Sequence, residues 1–209
     1  MKIMNNKELN DYKLYVFDLD GTLYNQPRLR FIMATRLMKY YALHPFRSCE
    51  LLWIQDFRKT KDSWKDDSCE DNIIADVAAR HKKDTDVVKA VIKKWIYENP
   101  LSALAATKYD KVIALIEKLR RDGKPVVILS DYPTEDKLKA LGVICDASYS
   151  TTDERIGELK PSPKGLLVVM EDFKAEPSET LMVGDRDEKD GKSAAAAGCD
   201  YLNVKEIVC

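Results

Sequence analysis

Apolar positions along the chain follow two different periods. Between Tyr12 and Asp20 the run Tyr-Lys-Leu-Tyr-Val-Phe-Asp-Leu-Asp clusters β-branched and aromatic residues ahead of a glycine, the pattern of a buried strand. From Pro27 to about Ala106 the period becomes helical. Leu29, Ile32, Met33, Leu37 and Tyr40 form one stripe; Ile73, Ile74 and Val77 belong to a second helix, and Val87, Val88, Val91, Ile92, Trp95 and Ile96 to a third. This stretch holds no convincing strand, and its loops are charged, as in Lys65 to Asp71.

Beyond it, helix and strand alternate. Thr107 with Asp110 reads as an N-cap pair for a helix buried through Val112, Ile113, Ile116 and Leu119 and stopped by Gly123. Pro125 to Leu129 is a short apolar strand ending at Ser130-Asp131, after which Pro133 opens a helix to about Leu141. Ala147 to Ser150 is a further short strand. Ser162 followed by Pro163 is an N-cap with proline at the first helical position, and that helix runs to Phe173. Thr180 to Val183 is a strand ending at Gly184-Asp185. Lys192 to Ala197 is a helix closed by Gly198, and Tyr201 to Val204 is the last strand. Strands separated by helices require crossovers, hence an α/β fold: a parallel sheet with helices on both faces, three layers in all. The helical insertion, residues 25–104, is far longer than an ordinary connection and is expected to form its own lobe on a core of residues 1–24 and 105–209.

Composition narrows the field. The chain has 209 residues, 45% hydrophobic and 33% charged, enough for a packed core. Its 34 basic and 35 acidic residues leave a net charge of −1, which offers nucleic acid or an anionic membrane no basic field. No apolar run reaches the roughly 18 residues of a membrane span. The polar stretch Met1 to Asp11 lacks an apolar signal region, so a cytoplasmic protein is expected, monomeric or weakly dimeric. The five cysteines, Cys49, Cys69, Cys145, Cys199 and Cys209, are odd in number and form no C-x-x-C pair; they read as free thiols, with terminal Cys209 exposed.

In an open parallel sheet, ligands bind beyond the carboxyl ends of the strands. Three strands end there in polar motifs: Asp18-Leu19-Asp20-Gly21-Thr22, Ser130-Asp131, and Gly184-Asp185-Arg186-Asp187-Glu188-Lys189-Asp190; Lys160 lies in a loop between the last two. Carboxylates without His or Cys companions suit a hard, oxygen-seeking cation, above all Mg²⁺. Adding a lysine and a serine makes a site for a phosphoryl group, whose transfer depends on positioning and charge neutralisation, and a carboxylate can itself be the nucleophile. Asp187, Glu188 and Lys189 read as a solvated face or helix start, and Arg186 as a partner for a core carboxylate. In the insertion, His44 and His81 read as structural or surface residues, and Trp53, Trp64 and Trp95 with Tyr40 and Tyr41 as lobe core. Arg28, Arg30, Arg36, Arg47 and Arg58 form a scattered basic set, mostly solvated, with one or two facing the substrate.

The ordered set Asp18-Leu19-Asp20-Gly21-Thr22-Leu23, Ser130, Lys160 and Gly184-Asp185…Asp190 resembles the four motifs of the haloacid dehalogenase superfamily. The resemblance covers about residues 10–24 and 105–205. It implies a Rossmann-like core with an all-helical cap, and a Mg²⁺-dependent phosphatase acting on a small phosphorylated metabolite through an aspartyl-phosphate. By that resemblance Asp18 is the nucleophile and Asp20 the general acid and then base. Thr22, Ser130, Asp131 and Lys160 hold phosphate, with backbone N–H groups of Leu19 and Asp131 contributing. The metal is held by Asp18, the Asp20 backbone carbonyl, Asp185 and Asp190, the last directly or through water. Cap hinges are expected at Tyr24 to Pro27 and Pro100 to Ala106. A phosphomutase acting on a sugar phosphate would use the same four motifs. A dehalogenase would lack the second aspartate, which is present here as Asp20.

Overall fold

In the computed structural model, which describes residues 8–63 and 70–208, five parallel strands form one sheet. They are β1 (Leu14–Phe17), β2 (Val126–Ser130), β3 (Ala147–Ser150), β4 (Thr180–Gly184) and β5 (Asp200–Asn203), in the order β3-β2-β1-β4-β5. The chain starts in the centre, builds outward through β2 and β3, then returns to build the other half. β1 and β4 lie side by side where the direction of winding reverses, and there two loops diverge and open a crevice.

The side-chain alternation of β1 assigns the faces. Leu14 and Val16 point into a cluster with Val127, Leu129, Met182, Leu166 and Val169, under helices α8 (Lys164–Phe173) and α9 (Lys192–Ala197). Tyr15 and Phe17 point the other way, toward Val112, Ile116 and Leu119 of α6 (Asp110–Arg121), flanked by α7 (Glu135–Leu141) and α10 (Lys205–Val208). A central strand buried on both faces is what a continuous apolar run encodes. The result is a three-layer, Rossmann-like α/β fold.

Between β1 and β2 run α1 (Gln26–Leu43), α2 (Glu50–Ser63), α3 (Glu70–His81), α4 (Thr85–Ile92) and α5 (Asn99–Leu104). Asn25 starts α1 by accepting the Arg28 N–H at 2.9 Å, with Pro27 in the first turn; Asp84 starts α4 in the same manner. Trp53, Phe57, Ile73, Val77, Val88 and Trp95 pack among these helices, and their cluster is continuous with the α6 side of the sheet. His81 pairs with Asp56 at 2.7 Å and His44 stacks on Tyr40, both structural roles. Trp64, Cys69, Cys209 and most of the charged Lys65–Asp71 loop lie outside the described residues. No helix among the described residues is long and apolar enough to cross a membrane.

Three local expectations change. Thr107 does not cap α6: its hydroxyl donates back to the Leu104 carbonyl at 2.9 Å, and α6 begins after Tyr109 with no side-chain cap. A threonine at the end of one helical segment satisfies its own preceding turn in preference to the next. Ser162 is not the N-cap of α8: Pro163 holds that position with no side-chain cap, and Ser162, one residue earlier, accepts the Lys164 N–H at 3.2 Å. Pro100 to Ala106 is not an extended connector. The helical path continues from Thr85 to Thr107, with a π-turn at Lys93–Glu98 just ahead of Pro100. A proline removes one rung of the i→i−4 ladder, and a widened turn is where a helix absorbs that defect. The return connector is instead Thr107–Tyr109, which runs antiparallel to Leu23–Asn25 and is tied to it by Asn25 N–H to Thr107 O (2.8 Å) and Tyr109 N–H to Leu23 O (2.9 Å).

Candidate active site

Asp18 is the first residue past β1, and its N–H still donates to Val183 O of β4 at 2.8 Å, so the sheet itself holds it at the crevice. Gly184 ends β4 and delivers Asp185; Ser130 ends β2; the Leu159–Lys160 loop comes in beside them. Lys160 is buried and bridges two carboxylates, Asp18 Oδ1 at 2.5 Å and Asp190 Oδ1 at 2.6 Å. The other Asp18 oxygen, Oδ2, accepts the Thr22 hydroxyl at 3.0 Å. Asp18, Asp185 and Asp190 each offer an oxygen within 4.8 Å of the others. The four stretches singled out in the sequence therefore meet at one sheet edge.

The charges at that edge do not balance. Three carboxylates share one buried ammonium, an excess of two negative charges that Arg186, bearing on half-buried Asp185, offsets only in part. Burial is the first cause that raises the Asp18 pKa, to about 8; Lys160 opposes the rise while Asp190 and Asp20 add to it. Asp185 is pushed up to about 6, first by burial and then by the charge of Asp190. Burial works against the charged form of Lys160, but Asp18 and Asp190 overcome it and hold the ammonium well above its ordinary range. Asp185 Oδ1 is buried and accepts no hydrogen bond among the described residues. An orphaned buried oxygen, three converging carboxylates and a charge excess of two fit a divalent cation bound by oxygen.

Gly21 makes that convergence possible. It sits at φ +102°, and a Cβ there would lie 2.2 Å from Asp185 Oδ2. Gly21→Ala would strain the backbone and push the carboxylate aside. The expected cost is about 1–3 kcal/mol, seen as a melting temperature lowered by about 2–4 °C per kcal/mol. An alanine variant that melts with the parent protein would remove Gly21 from this role.

Asp20 stands apart from the trio. Its carboxylate accepts from Lys137 Nζ at 2.6 and 2.8 Å, from the Tyr24 hydroxyl, and from the Ser130 hydroxyl at 3.3 Å. Burial raises its pKa, but the Lys137 charge and these hydrogen bonds outweigh burial and bring it below the usual carboxylate range. Ser130 Oγ also accepts the Tyr132 N–H at 3.1 Å. The Asp131 side chain accepts the Lys160 backbone N–H at 3.1 Å and lies 3.5 Å from Lys189 Nζ, so it anchors the lysine loop.

Several participants are invisible to sequence reasoning. Lys137, 117 positions from Asp20, carries no motif. Lys189, expected on a solvated face, is half-buried and reaches Asp62 of α2 at 3.1 Å; Arg186 reaches the same carboxylate at 3.4 Å and Glu188 at 2.9 Å. These contacts tie the fourth motif to the helical insertion, and only a folded insertion brings Asp62 there. Asp187 turns instead to Asn203 and Tyr201. Gln26, Arg30, Lys61 and Asp62, all from α1 and α2, complete the wall of the cleft above Asp18.

Comparison with known proteins points one way. No curated protein matches the chain. Among solved structures, YfnB of Bacillus subtilis, a candidate HAD-hydrolase with magnesium bound, superposes with a TM-score of 0.65 at 16% identity, covering 91% of this chain and 87% of its own. A 2-haloacid dehalogenase from Pseudomonas syringae pv. Tomato DC3000 gives 0.64 at 18%, covering 91% and 85%. The L-2-haloacid dehalogenase of Xanthobacter autotrophicus with chloropropionic acid covalently bound gives 0.62 at 18%, covering 91% and 76%. At such identities these likenesses establish the fold. The model of the haloacid dehalogenase-like hydrolases matches residues 12–198, nearly the whole length. The chain belongs to the haloacid dehalogenase-like hydrolase family.

Proposed function

We propose that this hydrolase is a Mg²⁺-dependent phosphatase that cleaves a small phosphorylated metabolite through an aspartyl-phosphate on Asp18. The observation that carries the reading is the excess of two negative charges at Asp18, Asp185 and Asp190 around one lysine. Displacing a halide with a carboxylate calls for no such excess, whereas bringing a phosphate dianion to a carboxylate requires a cation to offset the repulsion. Asp18, Asp185 and Asp190, with the Asp20 backbone carbonyl, would hold Mg²⁺, which supplies charge neutralisation and alignment for the transferring group.

The chain's own groups then divide the work. Asp18 attacks phosphorus; Lys160 and Thr22, already on its two oxygens, orient it and meet the phosphoryl oxygens, with Ser130 and the backbone N–H groups of Leu19 and Asp131 on the far side. The P–O bond to the leaving group breaks, and the departing alkoxide takes a proton from Asp20. Water then attacks the aspartyl-phosphate, Asp20 accepts its proton, and the Asp18 carboxylate is released with inorganic phosphate. With Lys137 and Tyr24 in place, Asp20 is in the form that serves as base. An arriving phosphate opposes that negative charge and competes for Lys137, and both effects raise the Asp20 pKa toward the acid form. The helices of residues 25–104 act as a cap over a core of residues 1–24 and 105–209, turning about the paired connectors at Tyr24 and Lys108, so that Asp62 engages Arg186 and Lys189 in the closed form. The cytoplasm, and a monomer or weak dimer, complete the proposal.

The test is phosphate release over a panel of phosphoesters in Mg²⁺ and in chelator, beside halide release from a 2-haloacid. Phosphate should appear only with Mg²⁺, and Asp20→Asn should slow it about 10²-fold or more. Full activity in chelator defeats the metal assignment; an undiminished Asp20→Asn rate removes Asp20 from proton transfer. Halide release without phosphate release defeats the whole reading. A sugar 1-phosphate that isomerises without freeing phosphate would make the chain a mutase.

A further inference from the structure

A second recess adjoins the catalytic cleft. The two share Asp20, Gln26, Arg30 and Tyr132 as walls, so a leaving group bound at Asp20 faces into the second. The far wall is apolar: Leu29 and Met33 from α1, and Ile96, Tyr97, Leu101 and Leu104 from the helical path ending in α5.

Two cations border that wall, Arg30 and Arg58, both in contact with solvent. Neither forms an ion pair among the described residues. Two other cations lining the recesses are committed elsewhere: Lys137 to Asp20 at 2.6 Å and Lys61 to Glu70 at 3.0 Å. The two arginines also bear on each other. Desolvation by the surrounding protein is the first cause lowering the Arg58 pKa; Tyr132 opposes it, and the charge of Arg30 adds to it. Like charges held together beside an apolar wall are costly, and a bound anion relieves that cost. A polyhydroxyl sugar would find few partners on the wall and leave its hydroxyls unpaired. A two-carbon acid would be too short to cover it.

Resting on the phosphatase reading, we propose that the substrate is a phosphomonoester whose leaving group is an apolar body bearing a second anionic group. The body lies on the α1–α5 wall and the anion sits between Arg30 and Arg58. A carboxylate and a second phosphate share that chemistry.

Binding to the Asp18→Asn chain in Mg²⁺, read by calorimetry, tests this without turnover. The probes are phenyl phosphate, 4-carboxyphenyl phosphate, 1,4-phenylene bisphosphate and ribose 5-phosphate. Both aryl esters with a second anionic group should bind about tenfold or more tightly than phenyl phosphate, and phenyl phosphate more tightly than the sugar phosphate. Adding Arg30→Gln or Arg58→Gln should shrink the tenfold advantage toward one. The tighter of the two probes that carry a second anionic group identifies the anion. Equal binding of phenyl and carboxyphenyl phosphate, an advantage that survives both arginine substitutions, or no binding by any aryl probe overturns the inference. Failure of the parent protein to release phosphate is a separate result that overturns the phosphatase reading, because these affinities do not depend on turnover.

Discussion

Asp18→Asn should abolish phosphate release while leaving the fold intact, and in chelator it should make the protein more stable. Under the proposed mechanism the amide cannot form the acyl-phosphate, so turnover falls by about 10⁴-fold or more. The stability effect follows from linkage. Without a cation, burial raises the folded-state pKa of Asp18 to about 8, against an unfolded value of about 3.9. Between those values the folded chain binds the extra proton, so stability declines as pH rises through the window and the loss is complete above the folded pKa. Asparagine carries no such penalty. In chelator the variant should melt about 3 °C or more above the parent at pH 8, with the gap narrowing toward pH 4. Mg²⁺ should narrow or reverse the gap, because it stabilises the parent more than a variant that keeps only Asp185 and Asp190 of the three carboxylates. Thermal melts at three pH values, with and without Mg²⁺, read all of this. A variant less stable than the parent in chelator at pH 8 would mean that Asp18 is not the strained carboxylate described here.

Lys160→Met should have the opposite sign. Lys160 is buried between Asp18 and Asp190, and its removal leaves two buried carboxylates without their counter-charge. Breaking a buried pair by removing one partner costs about 3–5 kcal/mol, or a melting temperature lower by about 6–20 °C in chelator at pH 8. Methionine keeps the stem volume, so the loss reports charge and not a cavity. Mg²⁺ should restore part of it, since a cation at the same carboxylates replaces the missing charge. Phosphate release should fall by about 10²–10³-fold, the cost of one donor to a developing charge. A melting temperature that does not move in chelator would remove the charge-balance argument, and with it the main support for a cation.

These two substitutions act on residues that the sequence reading had already picked out, which shows where such reading is strong. The strands were legible because a doubly buried parallel strand must be apolar almost throughout and end in something polar; β1, β2 and β4 do so at Asp18, Ser130 and Gly184-Asp185. Sheet geometry then sends those ends to one edge. Weaker local signals misled. Thr107 looks like a cap from its neighbours, yet its hydroxyl had a closer carbonyl behind it; Pro100 to Ala106 looks like a hinge, yet the helical path runs on through it behind a π-turn.

Lys137 and Asp62 left no trace in the sequence, because neither stands near its partner along the chain nor in a spacing that a helix or strand would impose. The same holds for Arg30 and Arg58, two of a scattered basic set until the fold places both at one recess. What the linear order of residues determined was the α/β sheet, its topology class and the carboxylates at its edge, since these depend on period and on turn chemistry within a few residues. Tertiary structure alone decided which lysine restrains Asp20, which acid of the insertion meets the fourth motif, and which arginines have no acidic partner among the described residues. Those outcomes depend on how helices far apart in sequence pack, and side-chain charge pairs only where that packing brings it within a few ångströms.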